Sequence, residues 1–132
     1  MNGMHFSLRV HGGFEDDGAS RALRVNAAIG GHALATWLSK CLRDQGLHAS
    51  EPWVEDHGWD FDMTDGGRLY LCACVIEDAP PGEQEAFVTV DLSRSFTDRV
   101  FGRNKFLPED AVAAAIRACL AQEKRLSLIE GA

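Results

Sequence analysis

Most of the residues in this chain whose types and spacing suit chemistry are aspartates: there are four of them, together with one histidine. Asp56 and His57 precede Gly58, and Asp60 and Asp62 follow it at alternate positions. Alternate residues of a β-strand lie on one face, so Asp60 and Asp62 would share a face, whereas alternation turns His57 the other way. Carboxylates grouped like this can bind a divalent cation or the surface of a basic protein.

Asp91 joins this group, because a second run of alternating residues places it on the solvent side of a neighbouring strand. Asp56 follows the same alternation as Asp60. We therefore predict an acidic sheet face that binds a basic protein partner. The simpler alternative is that polar residues merely occupy the wet face of a sheet.

Catalysis by these residues is a weaker interpretation. Paired carboxylates need an apolar pocket that raises the pKa of one of them, and the sequence indicates none. His57 could act as an acid, a base or a ligand, but we favour a solvated or hydrogen-bonded structural histidine. No serine has the flanking glycines of a nucleophile elbow, and no histidine pair has metal-binding spacing. We expect a non-enzymatic protein without a cofactor or a metal.

A second candidate region, residues 94–107, combines basic and aromatic side chains. They are Arg94, Arg99, Arg103 and Lys105, interleaved with Phe96, Phe101 and Phe106. This composition suits a phosphorylated ligand, a nucleotide or a single-stranded nucleic acid, and long loops are often functional. In the interpretation we favour, the phenylalanines anchor the loop to the core and the arginines pair with surplus acids. Ligand binding by this loop, with or without catalysis, is the alternative function.

Two glycines, Gly30 and Gly31, precede a predicted helix. The amide groups at a helix N-terminus can hold an anion. The chain has neither a Gly-x-Gly-x-x-Gly nor a Gly-Lys-Ser/Thr sequence around them. We therefore predict an ordinary helix start here.

Hydrophobic periodicity predicts the elements that would carry these residues. Residues 4–10, 58–63, 68–77 and 87–93 are typical of strands, and residues 78–82 of a loop. Amphipathic stripes predict one helix from about Gly31 to Gln45 and another that starts at Pro108. We expect the final residues, after the second helix, to fray. The order β-α-β-β-β-α predicts an α+β fold: a two-layer sandwich, mainly antiparallel, with two helices on one face. We expect a single domain over residues 1–132.

The strand at residues 68–77 is apolar at almost every position from Leu69 to Ile76. A strand that is apolar on both sides belongs in the middle of a sheet, and its second face needs cover. Residues 19–29 or a second subunit could provide that cover. The same reasoning predicts a homodimer.

The composition narrows the class of partner. The chain has 132 residues and a formal net charge of −7, so double-stranded nucleic acid and acidic membranes would be repelled. No apolar run reaches the length of a membrane span, and the start of the chain lacks a signal-peptide pattern, so we expect a cytoplasmic protein. Its cysteines, Cys41, Cys72, Cys74 and Cys119, are predicted to be reduced and buried.

Part of the chain also resembles known proteins. Residues 34–61 combine an amphipathic helix, Gly46, a proline, acids and Gly58-Trp59-Asp60-Phe61. This run resembles small uncharacterised bacterial proteins, some of which are similar to immunity proteins of toxin systems. The resemblance implies a protein-binding role and assigns no functional residue.

Overall fold

The structure, a computed structural model, describes residues 3–80 and 83–131. Two residues of the predicted loop at 78–82, Pro81 and Gly82, lie outside the described residues. The strands are β1 Gly3–Val10, β2 Ile29–Gly30, β3 His48–Ala49, β4 Trp53–Glu55, β5 Gly58–Asp65, β6 Arg68–Glu77, β7 Glu85–Leu92 and β8 Leu126–Gly131. The helices are α1 Gly18–Leu23, α2 His32–Asp44, α3 Phe96–Val100 and α4 Ala111–Gln122.

One antiparallel sheet contains all of these strands. Its order is β3-β5-β6-β7-β1-β8, with β4 paired beside β3 on the edge of β5, and β2 paired with β6. The predicted α+β sandwich with an antiparallel sheet is confirmed. The central position that we predicted for β6 is confirmed as well, because β6 pairs with β5 on one side and β7 on the other.

The core lies between one face of this sheet and the helices α2 and α4. Alternate strand residues point into it, as the periodicity predicted, and Phe61, Cys72 and Val90 are fully buried. Burial of such side chains is the main favourable contribution to folding, at about 25 cal/mol per Å² of apolar surface. Trp59, Phe61 and Met63, at alternate positions of the strand predicted at residues 58–63, all lie in this core.

Helix α2 follows its prediction closely. Leu34, Leu38 and Leu42 form a stripe with no exposed surface, and Gly31 is the N-cap. Gly46 stops the helix with a φ of 89°, a conformation that glycine adopts without the steric cost of a β-carbon. The glycines in the sequence therefore mark both the start and the end of α2.

Helix α4 starts later than predicted, at Ala111 rather than Pro108. Asp110 is its N-cap, and its side chain accepts hydrogen bonds from the amide of Leu107 and, at 3.1 Å, from the guanidinium of Arg68. These contacts hold residues 107–110 as a turn in front of the helix. The prediction was wrong because the partner of Asp110 lies on a distant strand.

Several short elements were missed. Strands β2, β3 and β4 have two or three residues each, too few to show a period. The chain does not fray after α4, because Leu126 turns back into the core and β8 pairs with β1. Helix α3 interrupts the segment at residues 94–107 that we predicted to be a loop, and α1 lies at the start of residues 19–29, for which we predicted no definite structure.

One of the two covers that we suggested for the second face of β6 was wrong. Residues 19–29 do not lie over its second face; they form α1 and then β2, which extends the sheet beside Ile76 and Glu77. Leu69 and Leu71 are 44% and 39% exposed on that face. The apolar residues on the side of β6 that faces away from the helices therefore form an exposed surface.

The prediction of four reduced cysteines was also wrong. A disulfide joins Cys41 of α2 to Cys119 of α4 across a sequence separation of 78 residues. Cys72 and Cys74 are free thiols, both fully buried on the core side of β6. Helical periodicity indicated that Cys41 and Cys119 face inward, but it could not show that the two helices pack side by side.

Candidate functional site

The sheet face opposite α2 and α4 is open along its middle. We call it the open face and define it by Asp62, Leu69, Leu71, Ala73, Val75, Phe87, Thr89 and Asp91. The side chains of β6 form an apolar stripe along it. Large exposed apolar side chains that lie together commonly mark a binding surface.

Two of the predicted acids flank this stripe. Asp62 of β5 pairs across the sheet with Leu71 of β6, and Leu71 pairs with Asp91 of β7. Directly opposite residues point to the same side of an antiparallel sheet, so one carboxylate lies on each side of Leu71. Leu69, Leu92 and Ser93 complete a shallow recess of about 340 Å³ around them. The structure thus brings Asp62 and Asp91 together around a leucine.

Asp60 is different, because only 3% of its surface is exposed. It pairs with Trp53 on β4 and with Ala73 on β6, and the imidazole of His57 lies against its carboxylate. The Nε2 atom of His57 lies 2.8 Å from Oδ1 of Asp60. The prediction that Asp60 belongs to the solvent surface was therefore wrong.

Alternation had predicted that His57 points away from Asp60. In the structure, His57 points toward it. Residues 56 and 57 are the two-residue turn of the β4–β5 hairpin, in which Glu55 pairs with Gly58. Strand alternation does not apply inside a turn. The turn also leaves Asp56 exposed, with its Oδ1 atom 3.3 Å from Nδ1 of His57.

The electrostatics of this hairpin favour a charged imidazole. The hydrogen bond to Asp60 raises the pKa of His57 above its ordinary value, and the charge of Asp56 adds to the effect. Burial raises the pKa of Asp60, although the contact with His57 opposes that change. Both imidazole nitrogens can donate to carboxylates only when the ring is protonated. This arrangement fixes the hairpin, and Asp60 is not available to a partner.

The basic region at residues 94–107 contains α3, and we call it the α3 segment. Its phenylalanines divide in a way that the sequence did not predict: Phe106 is buried, whereas Phe96 and Phe101 are 80% and 70% exposed. The interpretation that all three anchor the loop was therefore wrong. Phe106 alone does so, with its ring against Tyr70.

The basic residues of the α3 segment have different roles. Arg94 points inward and donates to the carbonyl oxygens of Asp98 and Arg103, so it holds the segment together. Arg103 lies over the ring of Phe101, with its guanidinium carbon 5.3 Å from the ring centre. Arg99 and Lys105 are exposed. The structure therefore keeps these predicted site residues on one segment, whereas Asp62 and Asp91 lie on the open face.

The helix start at Gly30 and Gly31 is already occupied by a carboxylate of the chain itself. Asp16 accepts hydrogen bonds from the amides of Gly31 and Ala33 and from the guanidinium of Arg24. The Asp16 side chain is 1% exposed and that of Arg24 is 4% exposed. An anion from solution would have to displace Asp16. Sequence reasoning missed this residue because its partners lie 8 to 17 positions away.

A serine and a histidine also meet near this helix start. The hydroxyl of Ser20 lies 2.9 Å from Nδ1 of His32, and Nε2 of His32 lies 3.5 Å from the hydroxyl of Thr36. A Ser-His pair needs an acid to orient the histidine, and Thr36 is not one. The ring of His32 packs edge-on to Trp59, 4.5 Å between centres. We interpret this cluster as packing that joins α1 to α2.

Two kinds of feature are absent from the part of the chain that the structure describes. Within residues 3–80 and 83–131, no group of three or more histidine, cysteine or acidic side chains could hold a metal ion. No helix in the same residues has the length and apolar character to cross a membrane. The open face and the α3 segment are the candidate binding regions because both expose large apolar side chains beside charged ones.

Comparisons with known proteins add no further information. Neither a protein-family model, nor a curated protein, nor a solved structure matches the chain.

Proposed function

We propose that this protein is a non-enzymatic protein-binding module that binds a basic partner on its open face, in the manner of an immunity or antitoxin protein. The observation that carries the proposal is the row in which Asp62 and Asp91 flank the exposed Leu71. Such a row suits a partner that presents an apolar side chain between two cations.

The two chemistries of the row have separate roles in binding. Burial of Leu69 and Leu71 by a partner would supply favourable free energy in proportion to the apolar area covered. Asp62 and Asp91, together with the net charge of −7, would attract a basic partner and select against an acidic one. Asp60 takes no direct part, because its carboxylate is buried against His57.

A random peptide library displayed on phage tests this proposal. Selection on the wild-type protein should enrich peptides in which Lys or Arg alternates with large apolar residues. The double variant Asp62→Lys plus Asp91→Lys should lose these peptides. A matched control, Asp44→Lys plus Glu109→Lys, changes the charge equally at exposed sites elsewhere and should retain them. Enriched peptides without basic residues, or equal binding by the double variant, would contradict the proposal.

A phosphorylated ligand or single-stranded nucleic acid at the α3 segment is the second candidate function. The exposure of Phe96 and Phe101 beside Arg99 favours it, because bases stack on accessible aromatic rings. A thermal-shift screen with phosphorylated metabolites, and fluorescence anisotropy with a single-stranded oligonucleotide, test it. Unchanged melting temperatures and anisotropy would count against this candidate.

A further inference from the structure

The α3 segment presents the chemistry that the open face is proposed to bind. Phe96, Val100 and Phe101 are 80%, 58% and 70% exposed. Residues 94–105 carry four basic side chains and a single acid, Asp98, in a chain that is acidic on average. An apolar and basic surface therefore lies on the same molecule as an apolar and acidic one.

Local contacts hold the α3 segment in one conformation. Ser95 and Asp98 form a reciprocal capping box at the start of α3. The guanidinium of Arg94 bonds the carbonyl oxygens of Asp98 and Arg103 across the segment. A surface that is already ordered loses less conformational entropy on binding.

The path of the segment keeps it away from the open face of its own molecule. The amide of Ser93 donates to the carbonyl of Leu69, so β7 ends beside the start of β6 and the α3 segment leaves the sheet there. Phe106 then packs against Tyr70, whose side chain lies on the helix side of the sheet. The segment thus turns toward the helices, and the row around Leu71 stays uncovered in a single copy.

We propose that the α3 segment of one copy docks on the open face of a second copy. Phe96 and Phe101 would cover Leu69 and Leu71, and Arg99 and Lys105 would meet Asp62 and Asp91. This inference rests on the proposed function for the binding chemistry of the open face. Each copy offers one surface of each kind, so a two-fold dimer contains two identical contacts.

The charges of the two surfaces make this contact attractive although each copy carries a net charge of −7. At about 0.15 M salt, charges more than ~8 Å apart are largely screened. Carboxylates and cations in direct contact are screened much less. The proposed contact therefore depends mainly on the charges that meet directly and only weakly on the net charge of each copy.

A charge exchange tests the proposal by sedimentation velocity at concentrations up to about 1 mM, which detects millimolar dissociation constants. One variant carries Asp62→Lys and Asp91→Lys, and the other carries Arg99→Glu and Lys105→Glu. Each variant alone places like charges opposite each other and should be monomeric. Their equimolar mixture places opposite charges at both contacts, with the wild-type signs at one and reversed signs at the other, and should form dimers, as the wild-type protein does.

Matched controls separate this effect from total charge. Asp44→Lys plus Glu109→Lys, and Lys40→Glu plus Lys124→Glu, change exposed residues elsewhere and should dimerise as the wild-type protein does. Circular dichroism checks that every variant is folded. If a charge variant is unfolded, Phe96→Ser plus Phe101→Ser replaces it. This variant should fold, since both rings are exposed, and it should be monomeric because it lacks the rings proposed to cover the second copy.

Three results would overturn the inference: a monomeric wild-type protein at the highest concentration, charge variants that dimerise like the wild type, or a mixture that stays monomeric. The proposed function is judged by a different readout. A monomeric wild-type protein whose open face still selects basic peptides would remove only the self-docking contact. Peptides without a basic bias would remove the proposed binding chemistry itself.

Discussion

The Nε2 atom of His57 lies 2.8 Å from Oδ1 of Asp60, a residue that is 3% exposed. This contact closes the β4–β5 hairpin and removes Asp60 from the protein surface. It also makes the hairpin sensitive to pH. The pKa of His57 is raised in the folded protein, chiefly by its hydrogen bond to Asp60.

The first prediction concerns the pH dependence of folding. A raised folded pKa means that the stabilisation by His57 is fully present below its unfolded pKa of about 6.5 and is lost as the pH rises through the folded pKa. The free energy of unfolding of the wild-type protein should fall over that range. In His57→Ala the fall should be absent, and the unpaired Asp60 should cost about 1–3 kcal/mol at pH ~6.

Urea unfolding at a series of pH values measures both effects. His48→Ala is the control, because His48 is exposed on the edge strand β3. It should retain the pH dependence of the wild-type protein. A His57→Ala curve parallel to the wild-type curve above pH ~6.5 would show that the hydrogen bond does not set this dependence.

The second prediction concerns Asp16, which caps α2 from a distance of 15 residues. Asp16→Ala leaves the amides of Gly31 and Ala33 without an acceptor and takes one carboxylate from the buried Arg24. We expect a loss of about 3–5 kcal/mol in the free energy of unfolding. Its neighbour Asp17 is exposed and caps only α1, so Asp17→Ala should cost much less than Asp16→Ala. Equal losses in the two variants would contradict the assigned role of Asp16.

The third prediction concerns the cysteines. Denatured but unreduced protein should react with a thiol reagent at two positions, Cys72 and Cys74, and at four after reduction. Cys41→Ser plus Cys119→Ser should lower the free energy of unfolding by about 4 kcal/mol, because the bridge closes a long loop. Reductant should lower the melting temperature of the wild-type protein and leave that of the double variant unchanged. Four reactive thiols without reduction would contradict the bridge.

The fourth prediction distinguishes the phenylalanines of the α3 segment. Phe106 is 6% exposed and packs on Tyr70, so Phe106→Ala should cost about 3 kcal/mol or more. Phe96→Ala and Phe101→Ala remove rings that solvent already reaches and should change the free energy of unfolding by less than about 0.5 kcal/mol. Chemical denaturation of the three variants measures the difference. A comparable loss at Phe96 would mean that this ring supports the fold.

Features that depend on short-range interactions could be predicted from the sequence. Repeating patterns identified α2 and the long strands, because Leu34, Leu38 and Phe61 each belong to a period that extends over several residues. The same patterns placed Asp62 and Asp91 together on one face of the sheet. The apolar run of β6 also indicated that the second face of this strand carries apolar side chains.

The errors arose where a contact joins distant residues or where the chain turns. Asp16 and Gly31, and Cys41 and Cys119, are paired by the packing of whole elements, which no local pattern records. His57 was misplaced because a two-residue turn interrupts the alternation on which its prediction relied. The candidate binding surface was therefore predicted in outline, and its exact membership required the structure.

The central claim is that the open face binds a basic and apolar partner. The most direct test is nuclear magnetic resonance of the ¹⁵N-labelled protein during titration with a peptide selected from the library. We predict that the amide signals of Leu69, Leu71 and Asp91 shift in a saturable way, and that Asp62→Lys plus Asp91→Lys abolishes the shifts. Shifts confined to α2 and α4, with the signals of β6 and β7 unchanged, would contradict the claim.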